Sequence, residues 1–302
     1  MTQIGIMIEG QEGLSWERWR RICLDTERLG FASLRRSDHL ISLGGPPERD
    51  CVECWTSLAL AAEWTTSIEF GPMVSPMTFR FPSVLAKQAA AVDALSGGRL
   101  ILGVGAGWNE NEHTVFHIPF LTRKGRFDRL EAGIETMQQI LETTHPYPAR
   151  RPIPLLIGGE GMRRTMPLAA RVASEWNLSR LNPDTFRSRR AALEEHCHKI
   201  GRDPATIKRS VMTTFIIGRN RGELRERALN LSEVMARLKG LDPDQVLETM
   251  RSRAFVGTPE EIAGQMREHS KLGVDLYMLQ HFELDDSDAL ELLAREVIPA
   301  VA

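Results

Sequence analysis

Leu100-Ile101-Leu102-Gly103-Val104-Gly105-Ala106-Gly107-Trp108-Asn109-Glu110 is the stretch on which the fold turns: an apolar run at 100–104 that breaks into glycines and then polar residues. Helical patterns lie on both sides of it, at 84–95 and 125–142, so the run reads as a strand between two crossover helices. The alternation continues outward in both directions. Strands are predicted at 3–8, 32–36, 68–74, 100–104, 153–157, 174–178, 208–217 and 276–280. Helices are predicted at 16–29, 54–63, 84–95, 125–142, 162–172, 185–200, 222–238, 259–271 and 287–297. Thr258-Pro259-Glu260-Glu261 offers a capping hydroxyl, proline at the first helical position and acids in the first turn, and Gly30 and Gly273 follow helix ends. Eight strands alternating with helices predict an α/β fold, a (β/α)8 TIM barrel, as a single domain over 1–302. Residues 219–255 are long and helical for one crossover, which predicts a helical insertion after strand 7, over one end of the barrel.

The 302 residues, 42% hydrophobic, are enough to bury a large core. Lys+Arg at 38 against Asp+Glu at 40 leave a net charge of -2, so no overall positive field exists to hold nucleic acid or an anionic membrane, and the expected partner is a small-molecule substrate. The apolar stretch 1–9 is short, has no basic region before it and runs into polar 10–15, unlike a signal peptide. No run approaches the roughly 18 apolar residues of a spanning helix, and a cytoplasmic location is expected. Four cysteines do not make a disulfide framework. Cys51-x-x-Cys54 with His196-Cys197-His198 some 140 residues later lacks the close paired spacing of a zinc site, and no metal is expected.

In a parallel barrel the segments after the strands' carboxyl ends form the active face. Gly103-x-Gly105-x-Gly107 resembles a dinucleotide fingerprint but fails it: the third glycine comes one residue early, and Arg123, Lys124 and Arg126 stand where an acid is expected. A tight turn at a strand end accounts for these glycines equally well. Gly158-Gly159-Glu160-Gly161 joins a strand to a helix, where free backbone N–H groups can bind an anion, with Arg163 and Arg164 nearby; a plain turn is again the alternative. His39, after Asp38 at the end of strand two, is a natural proton acceptor near neutral pH, although a lone histidine is more often structural. His113 and His117 have the spacing of a zinc helix, but Thr114 replaces the glutamate that motif needs. Trp108 beside Asn109 places a large ring in a loop, either stacked on a planar cofactor or packed under a neighbouring loop.

Together, Ser37-Asp38-His39-Leu40, Gly71-Pro72-Met73-Val74-Ser75-Pro76-Met77-Thr78, Leu95-Ser96-Gly97-Gly98-Arg99-Leu100, Gly103-Val104-Gly105-Ala106-Gly107-Trp108-Asn109-Glu110, Leu156-Ile157-Gly158-Gly159 and Val256-Gly257-Thr258-Pro259-Glu260-Glu261 resemble, in order, the luciferase-like monooxygenase superfamily and its F420-dependent oxidoreductase branch. The resemblance implies coenzyme F420, or alternatively FMN, lying across the carboxyl face. It implies His39 as catalytic acid/base, Asp38 near the ring, and a non-proline cis peptide at or next to Val74-Ser75 forming a bulge behind the ring. Gly107 and Asn109 would contact the ring and side chain of the cofactor, with Trp108 between them as a candidate cofactor contact, and Gly158-Gly159, with Glu160 beside them, would hold its phosphate. A homodimer is implied as well. Sugar-phosphate dehydrogenases of this branch carry a catalytic glutamate where Ala106-Gly107-Trp108 stands here, so sugar-phosphate oxidation is not expected. Arg35 and Arg36 replace an aromatic and a small residue, and either favours an anionic substrate if it points into the barrel, or forms a salt bridge in its wall. The favoured activity is hydride transfer between the deazaflavin and a small organic substrate. The alternatives are an FMN-dependent monooxygenase supplied by a partner reductase and a non-catalytic flavin-binding protein, against which Asp38-His39 and the glycine loops argue.

Overall fold

Among the described residues every strand pairing is parallel, which is the signature of strands connected through helices. The computed structural model describes residues 2–46, 48–180 and 182–301. Its strands are β1 (Gln3–Ile8), β2 (Ser33–Arg36), β3 (Glu69–Pro72), β4 (Ser75–Pro76), β5 (Leu102–Gly105), β6 (Leu155–Gly158), β7 (Glu175–Ser179), β8 (Lys208–Ile217), β9 (Ala254–Gly257) and β10 (Leu276–Gln280). The order β3-β2-β1-β10-β8-β7-β6-β5-β4 closes on itself, because β3 and β4 are two halves of one stave and Phe70 bridges to Leu100. Eight staves result, as the apolar runs predict. The third is not the continuous strand expected over 68–74. It breaks at a non-proline cis peptide between Met73 and Val74, the bond immediately before Val74-Ser75.

Glycine lets the third and fourth staves meet. A Cβ on Gly71 would stand 2.0 Å from the Ile101 carbonyl oxygen, and one on Gly103 would stand 2.1 Å from that of Pro72, so neither position admits a side chain. Alternation along the strands separates two cores. Ile4, Ile6 and Ile8 of β1 face the helices and join the large cluster containing Trp19, Leu58 and Leu85, whereas Met7 faces inward with Met73, Ile101, Leu156, Leu276 and Met278 to fill the barrel.

Arg35 and Arg36 obey the same alternation. Arg35 lies inside, 3.4 Å from Glu175, whose other oxygen accepts from the Ser210 hydroxyl at 2.6 Å. Arg36 lies between sheet and helices, donating to Ser57 Oγ and stacking over Trp19. The wall salt bridge is therefore what Arg35 makes, and neither arginine lines the cavity at the barrel mouth.

The helices are α1 (Trp16–Arg28), α2 (Cys54–Trp64), α3 (Pro82–Ser96), α4 (Glu110–Val115), α5 (Arg123–Thr143), α6 (Thr165–Val172), α7 (Pro183–Lys199), α8 (Arg221–Val234), α9 (Pro243–Arg251), α10 (Pro259–Ser270), α11 (Ser287–Leu292) and α12 (Ile298–Val301). None is long and apolar enough to cross a membrane. The stretch expected as one helix over 287–297 passes through a π-helical turn, Leu293–Val297.

The insertion after the seventh stave differs from expectation in one respect: it returns through a strand. β8 pairs with β10 over its first half and with β9 over its second, Thr214 to Ile217, so it leaves the barrel and carries β9 beside it above the mouth. The helical pattern over 222–238 ends at Val234, because Met235 turns extended, and a short 3-10 turn, Ala236–Leu238, follows. Leu224, Leu231, Leu238, Val246, Met250 and Val256 bury a separate small core there. At about 1.5–3 kcal/mol per buried aliphatic side chain this holds the insertion as a fixed roof.

Candidate functional site

The carboxyl ends of the staves and the roof enclose a cavity of about 860 Å³, within the size range of small-molecule sites. A second cleft, of about 880 Å³, opens beside it, but its arginines and carboxylates pair with one another, as in Arg18–Asp285, Arg219–Asp288 and Arg227–Asp286. The first holds the sequence-predicted residues. Asp38, His39, Val74, Gly107, Trp108, Gly158, Gly159 and Glu160 all line it, whereas Ser75 and Asn109 stand behind its wall.

Asp38 is a clamp. Its carboxylate accepts from Ser75 Oγ at 2.6 Å and from both terminal nitrogens of Arg80 at 2.7 and 3.1 Å, and Ser75 in turn accepts from Trp55 Nε1. With both oxygens engaged and the side chain buried, Asp38 fixes the end of β2 and the direction in which His39 leaves it.

His39 Nδ1 lies 2.8 Å from Glu112 Oε2, and Glu112 Oε1 accepts from the Leu40 N–H at 2.7 Å. Glu112 is fully buried and was not expected from the sequence. It is delivered by α4, whose N-cap Asn109 accepts through Oδ1 from the N–H groups of Asn111 and Glu112. Asn109 thus acts on the site through the helix it starts. The pattern Asn109-x-x-Glu112 is a helix-start signature that would have located α4, but it gives no sign that this carboxylate turns to His39. A carboxylate on Nδ1 keeps a proton there and turns Nε2 toward the cavity. Burial opposes charge on the ring, but the Glu112 hydrogen bond and the charges of Glu112, Glu9 and Asp38 outweigh it and raise the His39 pKa above the ordinary histidine value.

The other walls are shaped by absent side chains. A Cβ on Gly105 would lie 2.6 Å from Val74 Cγ2, and one on Gly158 would lie 3.2 Å from Val74 Cγ1, so these glycines make room for Val74 as a ridge on the cavity floor. Gly107, at φ 78°, holds its loop through a carbonyl bonded by Arg126 Nε, and presents Trp108 edge-on to His39 with ring centroids 5.9 Å apart. Trp108 is 67% exposed, a free apolar face at the mouth.

Gly159 adopts φ 120° and spends its N–H on the Asn177 carbonyl. Among the described residues, the N–H groups of 160–164 have no protein acceptor, and α6 has no side-chain cap. Arg164 does not face this turn: it pairs with Asp128 and Glu131. Arg123 of α5 lines the same cavity instead. His113 bonds the Asn109 carbonyl through one ring nitrogen and Thr78 Oγ1 through the other, so it ties α4 to the β4 loop.

A family model described as luciferase-like monooxygenase matches residues 1–276. An FMNH(2)-dependent dimethylsulfone monooxygenase of Pseudomonas putida is 26% identical over 277 residues, covering 73% of this chain and 70% of that protein. An F420-dependent hydroxymycolic acid dehydrogenase of Mycobacterium tuberculosis is 27% identical over 216 residues, covering 66% of this chain and 59% of that protein. In overall fold the chain is similar to an F420-dependent secondary alcohol dehydrogenase solved with an F420-acetone adduct, with TM-score 0.82 and 20% identity over 100% of this chain and 99% of that one.

Proposed function

The chain belongs to the luciferase-like monooxygenase family, and from that premise we propose that it is an oxidoreductase moving a hydride between coenzyme F420 and a small organic substrate. The observation that carries this reading is the His39 imidazole, held on a buried carboxylate through Nδ1 and open to the cavity at Nε2. Bound F420 supplies a carbon that gives or takes a hydride. Glu160 and Gly161, whose N–H groups are free among the described residues, line the cavity with Arg123 and suit its phosphate, and the surfaces of Trp108 and Val74 suit a flat ring.

His39 Nε2 accepts the proton of a substrate hydroxyl as hydride leaves the adjacent carbon, and returns it in the reverse direction. Against burial, Glu112 and the neighbouring carboxylates raise the His39 pKa above the ordinary histidine value, which strengthens Nε2 as a proton acceptor. Glu112 fixes the ring's orientation, Asp38 and Arg80 fix the backbone that carries it, and the roof limits water at the mouth.

An FMN-dependent monooxygenase served by a partner reductase is the second reading, favoured by the similarity to the Pseudomonas putida protein. A paired titration of the purified chain with F420 and FMN, read by ring fluorescence, decides between them. Binding of F420 alone supports hydride transfer, preference for FMN makes the monooxygenase reading primary, and binding of neither overturns both. His39→Ala should abolish turnover while cofactor affinity stays within about threefold, since His39 is not assigned to the phosphate; retained turnover removes the proposed acid/base.

A further inference from the structure

We propose that the side of the mouth facing His39 is an anion subsite, in which Arg180, Arg237 and Arg253 bind the carboxylate, sulfonate or phosphonate of an organic-acid substrate. That the bound acid is a substrate rests on the oxidoreductase reading above; the anion site itself does not.

Three segments distant in sequence bring these guanidiniums together. Arg180 follows β7 and donates its N–H to the Met212 carbonyl at 2.9 Å, while the Arg253 carbonyl, just before β9, accepts from Thr213 Oγ1 at 3.1 Å. The two arginines are thus anchored on consecutive residues of β8. Arg237 descends from the roof in the 3-10 turn, and all three line the cavity that His39 lines. In the ring of eight staves β7 lies four places from β2, so the cluster faces His39 across the mouth.

Among the described residues none of the three has a carboxylate within ion-pair distance, in contrast to Arg80, Arg164, Arg209 and Arg227. Burial, and then the charges of Arg253 and Arg180, lower the pKa of the Arg237 guanidinium, so the three lie within one another's field. Three like charges gathered without a counter-ion repel, and a bound anion relieves that repulsion. Arg180 also holds φ 101°, a backbone region disfavoured for any residue with a Cβ and retained mainly where the surroundings impose it at functional sites. The apolar floor of Met73, Val74 and Met212 lies between the cluster and His39, which suits an acid whose reacting carbon sits apart from its charged end.

Isothermal titration of the full chain with hexane-1-sulfonate, hexanoate and neutral 1-hexanol tests this, alongside Arg180→Gly, Arg237→Gln, Arg253→Gln and the triple variant. All three positions are exposed, and Arg180→Gly removes the backbone strain, so the variants should fold. The acids should bind in preference to the alcohol. Each substitution should weaken them about tenfold, and added salt should weaken them further. Equal binding of acid and alcohol, or affinity indifferent to the substitutions, overturns the proposal. Loss of F420 affinity in the triple variant with hexane-1-sulfonate binding retained also overturns it, because the arginines would then serve the acidic tail of the coenzyme. Arginine-dependent binding of the acids by a chain that takes up neither F420 nor FMN would sustain the anion site and sink only the oxidoreductase reading.

Discussion

Glu112→Gln is the sharpest probe of how the histidine is set. The substitution preserves shape but leaves one acceptor where the buried carboxylate offers two, to His39 Nδ1 and to the Leu40 N–H. If the amide oxygen stays on Leu40, its NH2 group meets Nδ1 and expels the proton there. If it turns to Nδ1, NH2 faces the Leu40 N–H and a buried donor goes unmet, at about 1–3 kcal/mol. In either orientation the negative charge of Glu112 is gone, which removes an attraction felt by the imidazolium and not by the neutral ring; a loss of about 1.4 kcal/mol is about tenfold in the protonation equilibrium. A histidine whose folded pKa is raised contributes stability that is complete below the unfolded value near 6.5 and disappears as pH rises through the folded value. The wild-type chain should therefore exceed Glu112→Gln in stability most clearly below about pH 6.5, with the gap narrowing at higher pH. NMR titration of the His39 Cε1–H signal, assigned by its loss in His39→Ala, measures the shift directly. An unchanged midpoint in Glu112→Gln would refute the claim that this carboxylate governs the ring.

Gly103→Ala should lower stability by at least about 2 kcal/mol in urea melts, because the Pro72 carbonyl lies 2.1 Å from the new Cβ and belongs to backbone; an unchanged midpoint would mean the two staves can part freely. Glu175→Gln should cost about 3–5 kcal/mol by stranding the buried Arg35 charge, whereas Arg35→Met combined with Glu175→Leu should recover most of it; equal losses in the two proteins would contradict the ion-pair account. His281 is buried and its pKa is pushed down to about 4, chiefly by desolvation, so the unfolded chain binds more protons between about pH 4 and 6.5 and stability falls as pH drops through that window. His281→Gln should flatten that slope, and an identical pH dependence of melting temperature would show that the imidazole is not titrating as burial requires.

The barrel was legible in the sequence because short apolar or β-branched runs, as expected of strands covered on both faces, alternate with helical patterns; 208–217 and 276–280 coincide with β8 and β10. β9 was not legible. Four residues directly after α9 carry no periodicity of their own, and their strand character comes from the second half of β8. The break at Met73 and Val74 could not be read from the pattern of 68–74, which runs as one strand with Glu69 as its single charge; the resemblance placed a cis peptide next to this point, and the pairing of β3 with β2 and of β4 with β5 shows that it divides the stave. In the site, Asp38 and His39 could be found by position, at the end of a stave. Glu112 could not be found by composition, since Glu110-Asn111-Glu112 reads as a solvated helix start and its burial depends on packing against the loop after β2. Arg180, Arg237 and Arg253 share no local pattern, and β8 and the roof make them neighbours.

Pairing separates two kinds of charge in this cavity. In and behind its wall, buried Asp38 is held by Arg80, Glu112 by His39 and the Leu40 N–H, and Glu175 by Arg35 and Ser210. Removing one member of such a pair leaves a desolvated charge, so each arrangement resists change and holds a geometry. At the rim the balance is reversed: among the described residues Arg123, Arg180, Arg237 and Arg253 carry exposed charges without protein counter-ions. Partly exposed groups of this kind add little to folding, and their substitution is cheap. A barrel so divided keeps the orientation of His39 constant while the rim, much of it on the insertion, is free to diverge. On this view changes of substrate preference should map to 180, 237 and 253 with melting temperature nearly constant, and changes at 38, 80 and 112 should move stability and turnover together.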